Sequence, residues 1–143
     1  MNTIQIKKLH EDSLLPLKAH IDDAGYDLFC YEEILIPAHK SGLVKTGIAM
    51  ALPPMTEAQI RPRSGLALKN MLTVLNTPGT IDAGYRGEIG VIIMNLSDKD
   101  FLVAKGMKIA QMVIAPVLPT NIEEVKELDE TQRGAGGFGS TGV

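Results

Sequence analysis

Residues 76–92, N-T-P-G-T-I-D-A-G-Y-R-G-E-I-G-V-I, hold the side chains best suited to chemistry. A carboxylate, Asp82, precedes an aromatic ring, Tyr85, among glycines and turn formers. Pro78-Gly79 and Ala83-Gly84 are turn signals, and residues 72–75 and 88–95 on either side read as strands. The natural reading is a hairpin with Asp82 and Tyr85 near its tip. A carboxylate and a ring on tight backbone suit a small planar ligand carrying a hydroxyl, and the glycines let that ligand approach the main chain. The same residues also suit an ordinary hairpin whose Asp caps a turn and whose Tyr packs on a neighbour.

Four other segments carry candidate groups. Arg63-Ser64-Gly65 opens the best helix candidate, residues 64–70, with Ser64 as N-cap and Asn70 as terminator. A hydroxyl, free amides and a guanidinium there suit an anion, and a plain cap beside a surface Arg is the alternative. Gln111 interrupts the apolar run I-A-Q-M-V-I-A-P-V, either facing solvent from an alternating strand or offering a buried amide to a ligand. Asp27, just inside a strand, could hold a metal-bound water or pair with a nearby Arg. The end of the chain reads R-G-A-G-G-F-G-S-T-G-V, and five of the last ten residues are Gly, which excludes stable regular structure of its own. Among those glycines stand Arg133, Phe138, Ser140 and Thr141. An arginine suits phosphate, a ring suits stacking on a base, and glycines permit ordering on binding, so a lid fits better than a spacer.

The elements that must position these groups are short strands. Ile4 and Ile6 share one face of the first, and residues 24–29, 34–36, 42–51 with a break at Gly47, 58–61, 101–103 and 109–117 read as others. Residues 11–23 read as a connection, and residues 121–132 suit a helix or a strand equally. Frequent turn signals and a single tiny helix give an all-β sandwich or barrel. With 143 residues the chain is one domain by default, and with only 4% aromatic content its core must rest on Ile, Leu, Val, Met and Ala. A net charge of −3 without a long basic run argues against broad nucleic-acid binding. Cys30, the only cysteine, excludes an internal disulfide and a Cys-based metal cluster and reads as a small buried group. No apolar stretch has the length of a membrane span, and the first residues lack a signal-peptide layout, so a cytoplasmic location is expected.

Taken in order, Ala24-Gly25-Tyr26-Asp27-Leu28, Arg63-Ser64-Gly65-Leu66-Ala67, residues 79–88 (G-T-I-D-A-G-Y-R-G-E), Ile109-Ala110-Gln111 and residues 133–142 resemble the five motifs of the homotrimeric dUTP pyrophosphatases, or dUTPases. The resemblance implies a β jelly-roll barrel over residues 1–132, with residues 133–143 as a flexible Gly-rich lid. Three such chains would share active sites around a threefold axis, and dUTP would be hydrolysed to dUMP and pyrophosphate with Mg2+. It implies that Asp82 orients and activates the attacking water and contacts the 3′-hydroxyl. Tyr85 would pack on the sugar and leave no room for a 2′-hydroxyl. Asn76 and hairpin backbone, with Gly79 and Ile81 among the binding residues, would read uracil in a space too cramped for the thymine methyl. Arg63, Ser64, Gly65 and Gln111 would bind phosphates, and Asp27 would hold the metal through water. Arg133 and Phe138 would close over the nucleotide, with Gly139 and Ser140 also on the binding side.

Two rival functions remain within this resemblance. A dCTP deaminase has a similar hairpin but needs a catalytic Glu in the following strand, where this chain has Ile92; Glu88 is the nearest carboxylate and belongs to the pattern shared with dUTPases. A nucleotide-responsive regulatory scaffold would show an insertion between motifs or altered site residues, and this chain shows neither. Thr80 stands where a bulkier aliphatic is common, and Ala83-Gly84 where acidic residues are common, which should make the turn before Tyr85 more pliable.

Overall fold

The computed structural model describes residues 2–142; Met1 and Val143, the outer limits of the two expected segments, lie outside the described ones. In chain order the strands are β1 (Gln5–Lys8), β2 (Gly25–Phe29), β3 (Ile34–Ile36), β4 (Ser41–Lys45), β5 (Ile48–Ala51), β6 (Thr56–Arg61), β7 (Leu72–Val74), β8 (Gly79–Asp82), β9 (Gly90–Asn95), β10 (Phe101–Val103) and β11 (Lys108–Pro116). Among the described residues one helix, α1 (Ser64–Asn70), lies between β6 and β7. The strands pair antiparallel in a four-stranded sheet, β2-β11-β6-β8, a three-stranded sheet, β4-β9-β7, and two ribbons, β1-β5 and β10-β3. This is the all-β jelly-roll barrel with one short helix that the sequence leads one to expect.

Period-two alternation sends the aliphatic side chains inward. In β9, Val91 and Ile93 are buried with Asn95 while the residues between them are not, and in β8 Gly79 and Ile81 are buried while Thr80 and Asp82 face out. The buried core holds Ile, Val, Leu, Met, Ala and Cys30 without an aromatic ring; Tyr26 and Phe101 pack only at its edge. Asn95 is the one fully buried amide, and it is fully used. Its Nδ2 donates to the carbonyls of Ile36 (3.1 Å) and Lys99 (2.8 Å), and its Oδ1 accepts from the Ser97 amide (3.0 Å) and hydroxyl (2.7 Å).

Three local expectations change. Strands β7 and β9 do pair, but the intervening β8 joins the other sheet beside β6, so Asp82 ends a strand and is not on the tip of a two-stranded hairpin. The cause is Ile81, whose side chain is drawn into the core and fixes β8 against β6. The N-cap is Arg63, not Ser64: Arg63 is extended (φ −90°, ψ 131°) and its carbonyl accepts the Ala67 N–H at 3.1 Å, while no side chain caps the helix. At the other end Met71, with φ 54°, makes the left-handed stop, and Asn70 is the last helical residue. Residues 117–132 form neither helix nor strand, and Ile122, Val125 and Leu128 point into solvent. Beyond them the tail holds only turns, among them Gly136 N–H to Arg133 O and Ser140 N–H to Gly137 O, both 3.1 Å.

The connection after β1 is fastened by charge. Asp12 accepts from Lys105 Nζ at 2.6 Å and from the Tyr31 hydroxyl at 2.9 Å, and His10 stacks on the Tyr31 ring at 4.1 Å.

Two outcomes are expected. Asn95→Ala strands the buried Ile36 carbonyl, removes three part-buried bonds to Ser97 and Lys99, and should lower unfolding stability by about 3 kcal/mol, measured by urea denaturation at fixed protein concentration. Hydrogen bonds from Lys105 and Tyr31 depress the Asp12 carboxyl from 3.8 to about 2. A depressed carboxylate stabilises the fold above its unfolded value and ceases to do so as pH falls through its folded one. The stability difference between wild type and Asp12→Asn should therefore be present at pH 6 and vanish as pH falls from 3.8 to about 2, which thermal melts across that range would show.

Candidate active site

The expected site residues fall into three groups. The first gathers at one end of the outer face of the four-stranded sheet. Gln111 on β11 lies between Asp27 on β2 and Arg61 on β6 in register. Its amide is half-buried, and Nε2 donates to the Pro62 carbonyl at 3.0 Å, which ties β11 to the turn carrying Arg63. Gln111 is thus neither a free solvent group nor a fully buried donor. Its Oε1 lies over Gly25, where a Cβ would stand only 2.6 Å away, so the glycine is the floor of this amide.

Asp27 forms ion pairs with Arg63 (Nε to Oδ1, 3.4 Å) and Lys108 (Nζ to Oδ2, 3.0 Å), with its side chain 27% exposed. The pairing with Arg foreseen for Asp27 is present, and Lys108 adds a second cation that no motif had signalled. Only the register that brings the start of β11 beside β2 reveals it. Because Arg63 takes the N-cap position, the Ser64 hydroxyl is spared from capping, and the first amides of α1 have no intrahelical partner. Two cations, a hydroxyl, free amides and the Gln111 amide converge on a surface that suits a polyanion.

The second group surrounds the far end of β8. A hollow of about 220 Å³ is lined by Thr80, Asp82, Tyr85, Glu88 and Gly90. Beside it, a smaller depression is bordered by Asn76, Gly79, Ile81 and Ile92. The Asn76 amide rests against Gly79, where a Cβ would lie 3.2 Å from Nδ2. Asp82 is exposed, and its carbonyl accepts the Tyr85 N–H at 3.1 Å, closing the turn that presents the ring. The Tyr85 hydroxyl donates to the Glu88 carbonyl at 2.9 Å. The Glu88 carboxylate in turn accepts the Gly47 N–H at 2.9 Å, so it serves as a latch between this loop and the β4–β5 turn.

The third group is the tail. Arg133 Nε donates to the Gly136 carbonyl at 2.9 Å, and Ser140 and Gly139 are exposed. The Phe138 ring is wholly exposed and sits on backbone with φ 53°, an uncommon conformation for a residue with a Cβ. Such a ring gains from any surface that covers it.

Within one chain the first two groups do not meet. Asp27 and Asp82 lie three strands apart and four residues offset along the ladder, roughly 20 Å from standard strand spacings. The hollow beside Asp82 is also smaller than the roughly 300 Å³ at which small-molecule clefts begin. Each group is therefore part of a site. Among the described residues no cluster of three or more His, Cys, Asp or Glu side chains could hold a metal ion by itself. No helix among them is long and apolar enough to cross a membrane.

Comparison with known proteins gives these groups a context. The dUTPase family model matches residues 11–142. The chain is 66% identical to a deoxyuridine 5′-triphosphate nucleotidohydrolase of Clostridium tetani, over 98% of this chain and 97% of the relative. It is 58% identical to the protein of the same name from Clostridioides difficile, over 99% of each. Among solved structures, the dUTPase of Staphylococcus bacteriophage 80alpha with dUpNHpp superposes with a TM-score of 0.92 at 31% identity, covering all of both chains. That protein is described as controlling transfer of virulence genes by a G protein-like mechanism. A phage phi11 dUTPase mutant described as coordinating a structural Mg(II) ion superposes with a TM-score of 0.83 at 28% identity, over 90% of this chain and 100% of the other.

Proposed function

The chain belongs to the dUTPase family, and from that premise we propose that it is a deoxyuridine 5′-triphosphate nucleotidohydrolase, releasing dUMP and pyrophosphate from dUTP. The observation that carries this reading is that the Asp82–Tyr85 turn and the Asp27–Arg63–Gln111 surface are both intact on a fold that matches the family over its length. Hydrolysis of dUTP removes a precursor of uracil in DNA and supplies dUMP for thymidylate synthesis.

Asp82 accepts a proton from water as the water oxygen forms its bond to the α-phosphorus. The bond from that phosphorus to the oxygen bridging to the β-phosphorus breaks, and pyrophosphate leaves with the electron pair. The charge on the leaving group is met by Arg63, the amides of Ser64 and Gly65, the Ser64 hydroxyl and Gln111. The 3′-hydroxyl bonds to Asp82, the sugar lies on Tyr85, and Asn76 with the backbone of Gly79 and Ile81 pairs with the uracil edge. A cytosine amino group there would set donor against donor. Magnesium, where bound, lowers the charge repelling the attacking water and the departing pyrophosphate. A single partly buried carboxylate suits an ion that would keep most of its waters, so Asp27 would hold it through water while Arg63 would turn to phosphate.

The separation of the Asp27 and Asp82 groups supports a site completed between copies, since the phosphates of one nucleotide are only a few bonds from its sugar. A homotrimer with shared sites meets that need. Residues 1–132 act as the barrel and residues 133–143 as its lid, with Phe138 covering the base, Arg133 on the terminal phosphate, and Gly139 and Ser140 alongside. The enzyme works in the cytoplasm.

Two observations weigh against the deaminase. Ile92 borders the base-side depression where a deaminase needs its Glu, and the Glu88 carboxylate is engaged by Gly47. The phage protein described as controlling gene transfer superposes over its whole length, so this fold is compatible with a regulatory role, which the turnover experiment below tests.

With magnesium, only dUTP among dUTP, dCTP, dTTP and UTP should yield pyrophosphate, and Asp82→Asn should lose about a hundredfold or more in kcat while still binding a nonhydrolysable dUTP analogue. Ammonia release from dCTP would restore the deaminase reading; binding without turnover by the wild type would favour the regulatory one. Asp27→Asn should raise the magnesium concentration for half-maximal rate about tenfold, measured by metal titration at saturating dUTP, with the fold retained.

A further inference from the structure

We propose that Gly87 and Glu88 are positioning residues that set the enzyme's sugar selectivity by fixing the ring of Tyr85. The proposal rests on the reading of Tyr85 as the surface against which deoxyribose packs.

The ring lies directly on Gly87. A Cβ built there would stand 2.6 Å from Cζ and 3.0 Å from Cε1 of Tyr85, and closer still to the hydroxyl oxygen. Unlike Gly47, Gly87 does not have positive φ, so its backbone is not in the left-handed region that favours glycine. What the position requires is empty space under the ring. At the ring's tip, the hydroxyl donates to the Glu88 carbonyl at 2.9 Å. That carbonyl is itself held, because the Glu88 carboxylate accepts the Gly47 N–H at 2.9 Å. The next residue, Ile89, is buried and exchanges bonds with Thr46 and Ile48. Gly47 is built into the barrel in turn: its φ is +71°, and its carbonyl accepts the Ser13 hydroxyl at 2.7 Å and the Leu9 N–H at 2.9 Å.

The ring is therefore supported from below by a missing side chain and pinned at its tip by a carbonyl anchored to the barrel. Rejecting one hydroxyl depends on a wall whose height is fixed, and a ring on a mobile turn would yield to a ribose. Tyr85 is also 47% exposed, so a methyl group at position 87 has an easy escape: the ring swings outward and the barrel stays folded. Selectivity and stability should separate at this residue.

The test is kcat/KM for dUTP and for UTP in wild type, Gly87→Ala, Glu88→Ala, Glu88→Gln and Tyr85→Ala, with thermal melts on each. Gly87→Ala and Glu88→Ala should reduce the preference for dUTP about tenfold or more, Gly87→Ala with an almost unchanged melting temperature. Glu88→Gln keeps an oxygen for the Gly47 N–H and should keep most of the preference. If Tyr85→Ala relaxes the preference but Gly87→Ala and Glu88→Ala leave it intact, the seat proposal fails and the sugar-wall reading stands. If Tyr85→Ala itself leaves the preference intact, the sugar-wall reading fails. A Gly87→Ala chain that does not fold would overturn the account of a ring displaced at little cost.

Discussion

Burial of Ile81 is the constraint from which the geometry of the site follows. Strand β8 is only four residues long, yet Gly79 and Ile81 face the core and pair alongside β6, which leaves Thr80 and Asp82 no direction but outward. A one-residue slip would place the carboxylate in an aliphatic interior and the isoleucine in water, and both changes are costly. The position of Asp82 is thus enforced by its neighbour's hydrophobicity. The Asp82–Tyr85 turn and the latch at Glu88 extend that fixed point towards β9.

Where β8 gives direction, the Glu88–Gly47 bond gives distance. It joins the return of the loop to the β4–β5 turn, and the bonds from Ser13 and Leu9 to the Gly47 carbonyl draw the N-terminal connection to the same place. The charge contacts of Asp12 with Tyr31 and Lys105 lie along that connection. Parts of the chain far apart in sequence therefore share the task of holding one short loop. The loop itself has few apolar contacts with which to hold its shape.

Electrostatics dominate at the other end of the sheet. Asp27 is matched by two cations, and Gln111 braces the turn that carries one of them. Half-exposed ion pairs of this sort add little to stability. They do keep Arg63 at the surface beside Asp27, and an arriving anion can replace one partner with another without leaving a charge unmatched. The wholly exposed Phe138 ring likewise gains from any surface that covers it.

The sequence alone determined the class of fold, the aliphatic core, the burial of Cys30 and the set of side chains available for chemistry. Alternation, turn residues and motif order are local properties, and Gly79, Asp82, Tyr85, Arg63 and Phe138 were legible from them. Helix bounds at 64–70 were legible too, although the cap moved to Arg63, because an extended residue after Pro62 lets its own carbonyl take the first helical bond. Tertiary structure decided what local pattern cannot encode. It drew β8 out of the expected hairpin into the opposite sheet, brought Lys108 to Asp27, set Gly25 beneath Gln111 and turned Glu88 towards Gly47. It also separated the Asp27 and Asp82 groups along one sheet. Each of these depends on pairing between residues distant in the chain, where register and shared burial, not neighbouring residue types, fix which groups meet.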